Sequence, residues 1–182
     1  MEIKHLEIPD ILLIKPDVYP DTRGFFLETY QRERYSQAGL ELEFVQDNHS
    51  GSKQETLRGL HYQIKQVQGK LVSVVSGSIY DVAVDLRKSS PTFGQWVGTK
   101  LKAEDHTQLW IPPGFAHGFY VLSPWAEVTY KVTDYYAKEW DRVLVWNDPE
   151  VNIQWPLIEG RNPVLSEKDA AGLSLHEADI FE

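Results

Sequence analysis

The stretch Ile79-Tyr-Asp-Val-Ala-Val-Asp-Leu-Arg87 decides the fold. Its residues alternate, with Val82, Val84 and Leu86 on one face and Asp81, Ala83, Asp85 and Arg87 on the other. That period of two is the mark of a strand with one face on a core. The Val82, Val84 and Leu86 face reads as the core side. In a small barrel the interior can hold a cavity, so Asp81 and Asp85 face either solvent or a polar pocket, and solvent is the simpler expectation.

Outward from this stretch, residues 11–14, 70–75, 107–111, 127–132 and 143–146 show the same short apolar runs. Gly69, Gly77, Gly94, Pro91, Pro112, Pro113 and Pro124 fall between runs, at the spacing of turns in an all-β barrel or sandwich. Helix is scarce. Residues 29–38 predict one short helix, and Ser166-Glu-Lys-Asp169 fits a capping box that opens a second. No repeat, low-complexity segment or linker interrupts residues 1–182, so a single domain is expected.

Composition narrows the chemistry. Without cysteine, a disulfide, a Cys-ligated zinc and a thiol nucleophile are excluded, which leaves His, Asp, Glu and Tyr for proton or metal work. The formal charge of -9 disfavours a nucleic-acid or anionic-membrane surface, so an anionic ligand needs a local basic pocket. The charged N-terminus and the lack of a long apolar run predict a soluble, cytoplasmic protein.

Two stretches carry candidate chemistry. Leu57-Arg-Gly-Leu-His-Tyr-Gln63 sets a cation, a glycine and an imidazole within one strand, and Trp110-Ile-Pro-Pro-Gly-Phe-Ala-His-Gly118 contains Pro-x-Gly-x-x-His, in which a tight turn returns the chain into a strand bearing His117. The second stretch resembles the second motif of cupin barrels. Metal-binding cupins bring His-x-His and a glutamate in the first motif; here the comparable region is His61-Tyr-Gln63. Two isolated histidines fall short of the three protein ligands of a catalytic zinc site, so no metal is expected.

Asp21-Thr-Arg-Gly-Phe-Phe26, Val45-Gln-Asp-Asn-His-Ser50, the 57–63 stretch, Gln68-Gly-Lys-Leu-Val72, Asp81-Val-Ala-Val-Asp-Leu-Arg87, Pro91-Thr-Phe-Gly94, Ile111-Pro-Pro-Gly-Phe-Ala-His-Gly118 and Leu165-Ser-Glu-Lys-Asp169 run in order over nearly the whole chain. Together they resemble the dTDP-4-dehydrorhamnose 3,5-epimerase family. The resemblance implies a cupin-type antiparallel β barrel, a jelly roll with a few short peripheral helices. It also implies a dTDP-sugar substrate, no cofactor, and a homodimer that exchanges N-terminal segments.

The implied reaction makes sense of the residue types. Hydrogens on the carbons beside a 4-keto group are weakly acidic, so inversion needs a base on one face, stabilisation of the enolate, and a proton donor on the other. Histidine, with an ordinary pKa of about 6.5, suits the base, and His61 is the choice. The family pattern assigns its orienting carboxylate to Asp169, although from sequence alone Asp169 is the third residue of the Ser166 capping box. Lys70 is placed against the sugar carbonyl. Tyr130, which shares strand parity with Val128 and Val132, is the opposite-face donor; the competing reading is an ordinary core tyrosine.

For binding, Arg23 and Arg58 are planar forks suited to diphosphate oxygens, and Glu28, Gln46, Asp47 and Asn48 offer hydrogen bonds. His117 and Lys168 resemble sugar contacts, and Tyr136 a ring for thymine. With segment exchange, Arg23 and Glu28 serve the neighbouring site. One difficulty is internal: in a regular strand residues 58 and 61 face opposite sides. Gly59 between them marks a bulge or a close backbone approach, either of which turns both to one pocket.

The expected activity is a double epimerase of a dTDP-4-keto-6-deoxyhexose. A single-position epimerase and a non-catalytic nucleotide-sugar-binding barrel are the alternatives.

Overall fold

The computed structural model describes residues 1–41 and 43–182. In chain order its strands are β1 (Glu2–His5), β2 (Leu12–Lys15), β3 (Val18–Asp21), β4 (Gly24–Leu27), β5 (Gln46–Lys53), β6 (Leu57–Gln63) and β7 (Lys70–Ser76). There follow β8 (Ser78–Asp85), β9 (Trp96–Lys102), β10 (Gln108–Ile111), β11 (Phe115–Val121), β12 (Trp125–Val132) and β13 (Asp141–Val143). They form a six-stranded sheet in the order β1-β2-β10-β7-β12-β5, a five-stranded sheet β13-β6-β11-β8-β9, and a separate hairpin β3-β4. Pairing within these sheets is antiparallel throughout. Among the described residues no helix is long and apolar enough to cross a membrane.

The two large sheets close face to face on Val72, Val74, Ile79, Ala83, Leu101, Leu109, Phe119 and Val128. A second core lies outside the barrel. There Val82, Val84 and Leu86 pack under Leu144, Val151, Ile153 and Leu175 from the C-terminal segment.

This second core corrects the reading of the decisive stretch. The face assigned to the core is indeed buried, but beneath the C-terminal wrap, and the opposite face turns into the barrel. Asp81 and Asp85 are therefore inside, each fully shielded from solvent. Asp85 is held by Arg87 through Nε at 2.9 Å and Nη2 at 2.7 Å, and by the hydroxyls of Ser90 and Thr92. An inward carboxylate is tolerated where such charge-assisted bonds replace its lost hydration.

The helices are shorter than expected. α1 spans Arg32–Gln37, begun by the Gln31 side chain accepting from the Arg34 N–H at 2.6 Å. α2 spans Glu167–Ala170, with the Ser166 hydroxyl oxygen accepting from the Asp169 N–H. The expected strand at 143–146 overlaps the end of β13, which starts earlier at Asp141; beyond it Leu144 exchanges backbone hydrogen bonds with Leu60 and bridges to Leu173.

The predicted bulge is present. His117 of β11 pairs with His61, but Phe119 pairs with Arg58, so β6 carries one extra residue across that interval. Gly59 sits there at φ +127°, and a Cβ on it would lie 2.5 Å from the Gly118 Cα. Only glycine occupies that conformation at that separation. Gly59→Ala is expected to cost on the order of 1–3 kcal/mol from the backbone alone. At about 2–4 °C per kcal/mol for a chain of this size, thermal denaturation should show a Tm several degrees lower. An unchanged Tm would mean that the bulge relaxes freely.

Candidate active site

One cavity opens between the inner faces of β5, β6, β7, β11 and β12. Inward alternation on β5 presents Gln46, Asn48 and Ser50, and on β12 it presents Tyr130. The bulge at Gly59 lets β6 add both Arg58 and His61, which resolves the parity difficulty. Lys70 enters from the start of β7, His117 from β11, Tyr136 from the loop between β12 and β13, and Lys168 from α2.

His61 Nε2 meets Asp169 Oδ1 at 2.5 Å. The other carboxylate oxygen, Oδ2, accepts from the Ser166 hydroxyl at 2.8 Å. The capping box and the dyad thus coexist, because the cap uses the Ser166 oxygen and the Asp169 N–H and leaves the Asp169 side chain for the histidine. Burial pushes the Asp169 carboxyl up, but the His61 bond and charge, the Ser166 hydroxyl and the Gly59 N–H outweigh it and hold it below the ordinary carboxylate value. Its contribution to stability is complete at neutral pH and is lost only in strong acid, as pH falls through that depressed value.

Burial dominates at His61 and lowers its pKa, against the opposing pull of Asp169; Lys70 and Lys168 add to the lowering. At neutral pH the imidazole is therefore a proton acceptor. Lys70 is buried, and its ammonium donates to the His61 carbonyl oxygen at 3.0 Å. Burial lowers its pKa to about 8, with Asp141 and Asp81 resisting and Lys168 assisting. Tyr130 is raised by burial, moderated by Arg58. A protonated phenol and a protonated amine accordingly share the cavity with an unprotonated imidazole at pH 7.

Arg58 is oriented by donating from Nε to the Ser52 hydroxyl oxygen at 2.9 Å. Tyr136 donates its backbone N–H to Gln46 Oε1 at 3.1 Å and its hydroxyl to Asp141 Oδ2 at 2.9 Å. Lys168 binds the same Asp141 carboxylate.

Three predicted residues stand elsewhere. Asp47 does not face the cavity. It pairs with Lys131, its register partner on β12, at 2.9 Å on the outer face, since Gln46, Asp47 and Asn48 cannot all point one way in a pleated strand. Arg23 and Glu28 lie at the β3-β4 hairpin and just beyond it, where Arg23 pairs with Asp21 and Glu28 with Arg34. Neither reaches this chain's cavity.

Residues not anticipated line it too. Asp141 gave no periodic signal in sequence. Gln63 had one, since it shares parity with His61 two residues away; its side chain binds the backbone of Gln66, Tyr135 and Ala137, and so carries the loop that bears Tyr136. Gln68 holds the same loop through the Asp134 carbonyl. Among the described residues, no group of three or more His, Asp or Glu side chains is gathered closely enough to hold a metal ion.

Fold and site together define a cupin-type barrel whose cavity gathers an imidazole, a lysine, a phenol and a guanidinium. Comparison with known proteins narrows this. The chain belongs to the dTDP-4-dehydrorhamnose 3,5-epimerase family, whose model matches residues 5–177. A dTDP-4-dehydrorhamnose 3,5-epimerase from Pseudomonas aeruginosa is 56% identical over 182 residues, covering 100% of this chain and 99% of that one. The crystal structure of dTDP-6-deoxy-D-glucose-3,5-epimerase from Legionella pneumophila, in complex with dTDP-4-keto-L-rhamnose, superposes with a TM-score of 0.94 at 51% identity, covering 98% of this chain and 94% of that one. A 3'-monoepimerase from Streptomyces bikiniensis, in complex with dTDP-quinovose, gives 0.87 at 32% identity, covering 94% and 87%.

Proposed function

We propose that this chain inverts C3 and C5 of dTDP-4-dehydro-6-deoxy-D-glucose to give dTDP-4-dehydro-L-rhamnose. The observation that carries the reading is the His61–Asp169 dyad opening on the same cavity as the Lys70 ammonium and the Tyr130 hydroxyl. His61 takes the carbon-bound proton, Lys70 stabilises the enolate oxygen, and Tyr130 returns a proton to the opposite face. Asp169 holds the imidazole and offsets the charge it acquires. Arg58 and Lys168 take the diphosphate and sugar, Gln46 and Asn48 add hydrogen bonds, and Tyr136 stacks on the thymine. The Pseudomonas aeruginosa 3,5-epimerase is 56% identical to this chain and the 3'-monoepimerase 32%, which favours two inversions over one.

The test is NMR of dTDP-4-keto-6-deoxyglucose incubated with the protein in deuterated water. Deuterium at both carbons with the L-rhamno configuration supports the reading. Exchange at one carbon indicates a single-position enzyme, and binding without exchange indicates a sugar-binding barrel.

The burial of His61 and Lys70 sets an expected pH profile. Activity should rise with pH as His61 loses its proton, below the ordinary histidine value of 6.5, and fall as Lys70 loses its own near pH 8. A kcat/KM profile flat across pH 7–9 would remove Lys70 from the role of charged stabiliser.

The reading extends to a homodimer in which the β3-β4 hairpin reaches a second copy and brings Arg23 and Glu28 to its cavity. In support, the hairpin pairs with neither large sheet, and it exposes Tyr19, Phe25 and Phe26, the last at 64%. An exposed aromatic cluster of this kind is typical of interface anchors. Sedimentation should give a dimer, and a mixture of Arg23→Ala and Tyr130→Phe proteins should regain activity that neither has alone. A monomer in sedimentation would refute the exchange.

A further inference from the structure

The β3-β4 hairpin pairs with neither large sheet, so its direction depends on how its root is held. Its ladder ends at the Val18–Leu27 pair, and Asp17 and Glu28 therefore stand where the chain enters and leaves it. Two carboxylates facing each other there would push the stems apart. Arg34 of α1 lies between them, donating from Nη1 to Glu28 Oε2 at 2.6 Å and from Nη2 to Asp17 Oδ2 at 3.0 Å. The Met1 amino group takes the other Asp17 oxygen at 2.6 Å.

The helix that carries Arg34 is itself fixed to the barrel. Tyr35, the next residue, is buried, and its hydroxyl donates to Gln108 Oε1 on β10. Gln108 in turn donates from Nε2 to the carbonyl oxygen of Thr29, the residue after Glu28, at 2.8 Å. A path of direct bonds thus runs from the six-stranded sheet through α1 to both stems of the hairpin; near the tip, the Phe25 ring lies 4.4 Å from that of His106. Exposed ion pairs add little stability, and the side chains of Asp17, Glu28 and Arg34 are 39%, 44% and 43% exposed. What they supply is direction, because a planar fork that meets two carboxylates sets the angle of both to the helix.

Resting on the segment exchange proposed above, we infer that Arg34 is a positioning residue that aims the hairpin of one chain at the cavity of a second copy, so that Arg23 and Glu28 meet the dTDP-sugar bound there. Arg34 takes one oxygen of Glu28, and the other can accept from the ligand. Without the fork, Asp17 and Glu28 repel, the hairpin swings on its root, and the neighbouring site loses the groups this chain brings to it. Arg34 does not line the cavity of its own chain, where His61, Lys70 and Tyr130 stay in place. A defect at Arg34 is therefore felt in the other subunit's turnover.

The test is Arg34→Met, alone and co-expressed with a hairpin variant, Arg23→Ala, or a cavity variant, Tyr130→Phe. Alone, its kcat/KM should fall about 10- to 100-fold through a higher KM, as when a binding group is slightly misplaced, with kcat and Tm close to the wild type. Co-expressed with Tyr130→Phe, it should regain activity beyond that of the two homodimers, because the Arg34→Met cavity then receives an intact hairpin. Co-expressed with Arg23→Ala, it should regain none, because both hairpins are then defective. Any other pattern of regain, or an unchanged KM, would overturn the inference, since the effect of Arg34 would then lie within its own chain. If Arg34→Met does not fold, Arg34→Gln decides by the same two pairings. Failure of Arg23→Ala and Tyr130→Phe to restore each other overturns the exchange itself, and the inference with it.

Discussion

His61→Asn is expected to lower kcat by about 100- to 10,000-fold, the range lost when a positioned general base is removed. Asparagine retains a polar group toward Asp169 but has no nitrogen able to accept a proton from carbon. The surroundings of the imidazole it replaces favour proton abstraction. Burial keeps the ring unprotonated at neutral pH, and Asp169 at 2.5 Å balances the charge it acquires on protonation. With the dyad assigned to the sugar and not to the nucleotide, dTDP affinity measured by calorimetry should persist. The expected combination is retained binding with lost turnover and lost deuterium exchange. Turnover close to the wild type would show that His61 is not the base, and a parallel loss of dTDP binding would point to a collapsed pocket.

Lys70→Met is expected to reduce kcat by about 100- to 1,000-fold, equivalent to about 2.7–4 kcal/mol of transition-state stabilisation. Methionine approximates the length of the stem without the charge. Lys70 is buried and tied to the His61 carbonyl oxygen, so its ammonium is in place before substrate arrives and needs no reorganisation during the reaction. The same variant should abolish the loss of activity near pH 8, while the acid limb set by His61 remains. A variant that loses rate yet keeps both limbs would assign the basic limb to another group.

How much of this was legible in the sequence depends on the range of the interaction involved. The alternation in 79–87, 70–75 and 127–132 is local, and it was sufficient for an antiparallel all-β barrel, because side-chain direction in a strand follows from its period of two. The same rule placed Tyr130 inward, and it would have placed Asp47 outward had it been applied to Gln46-Asp47-Asn48. Glycine at 59 announced the bulge that brings Arg58 and His61 together, since a strand glycine marks close backbone approach. The motif series was enough to name the family and to gather most of the cavity's residues.

What period alone leaves undetermined is which of two faces meets which neighbour. The face of Val82, Val84 and Leu86 reads as core and is buried, but a segment from Leu144 to Leu175 covers it, and this turns Asp81 inward to His117 where solvent is the simpler expectation. Asp169 reads as a cap or as the partner of His61, and only the fold shows its N–H on the Ser166 cap and its side chain on an imidazole 108 positions away in the chain. Asp141, which gathers Lys168 and Tyr136 at the mouth, had no local signal at all. The sequence by itself determined the strands, their inward residues and the family; only the tertiary structure decided which buried carboxylate meets which imidazole, because that pairing is set by packing between segments remote in the chain.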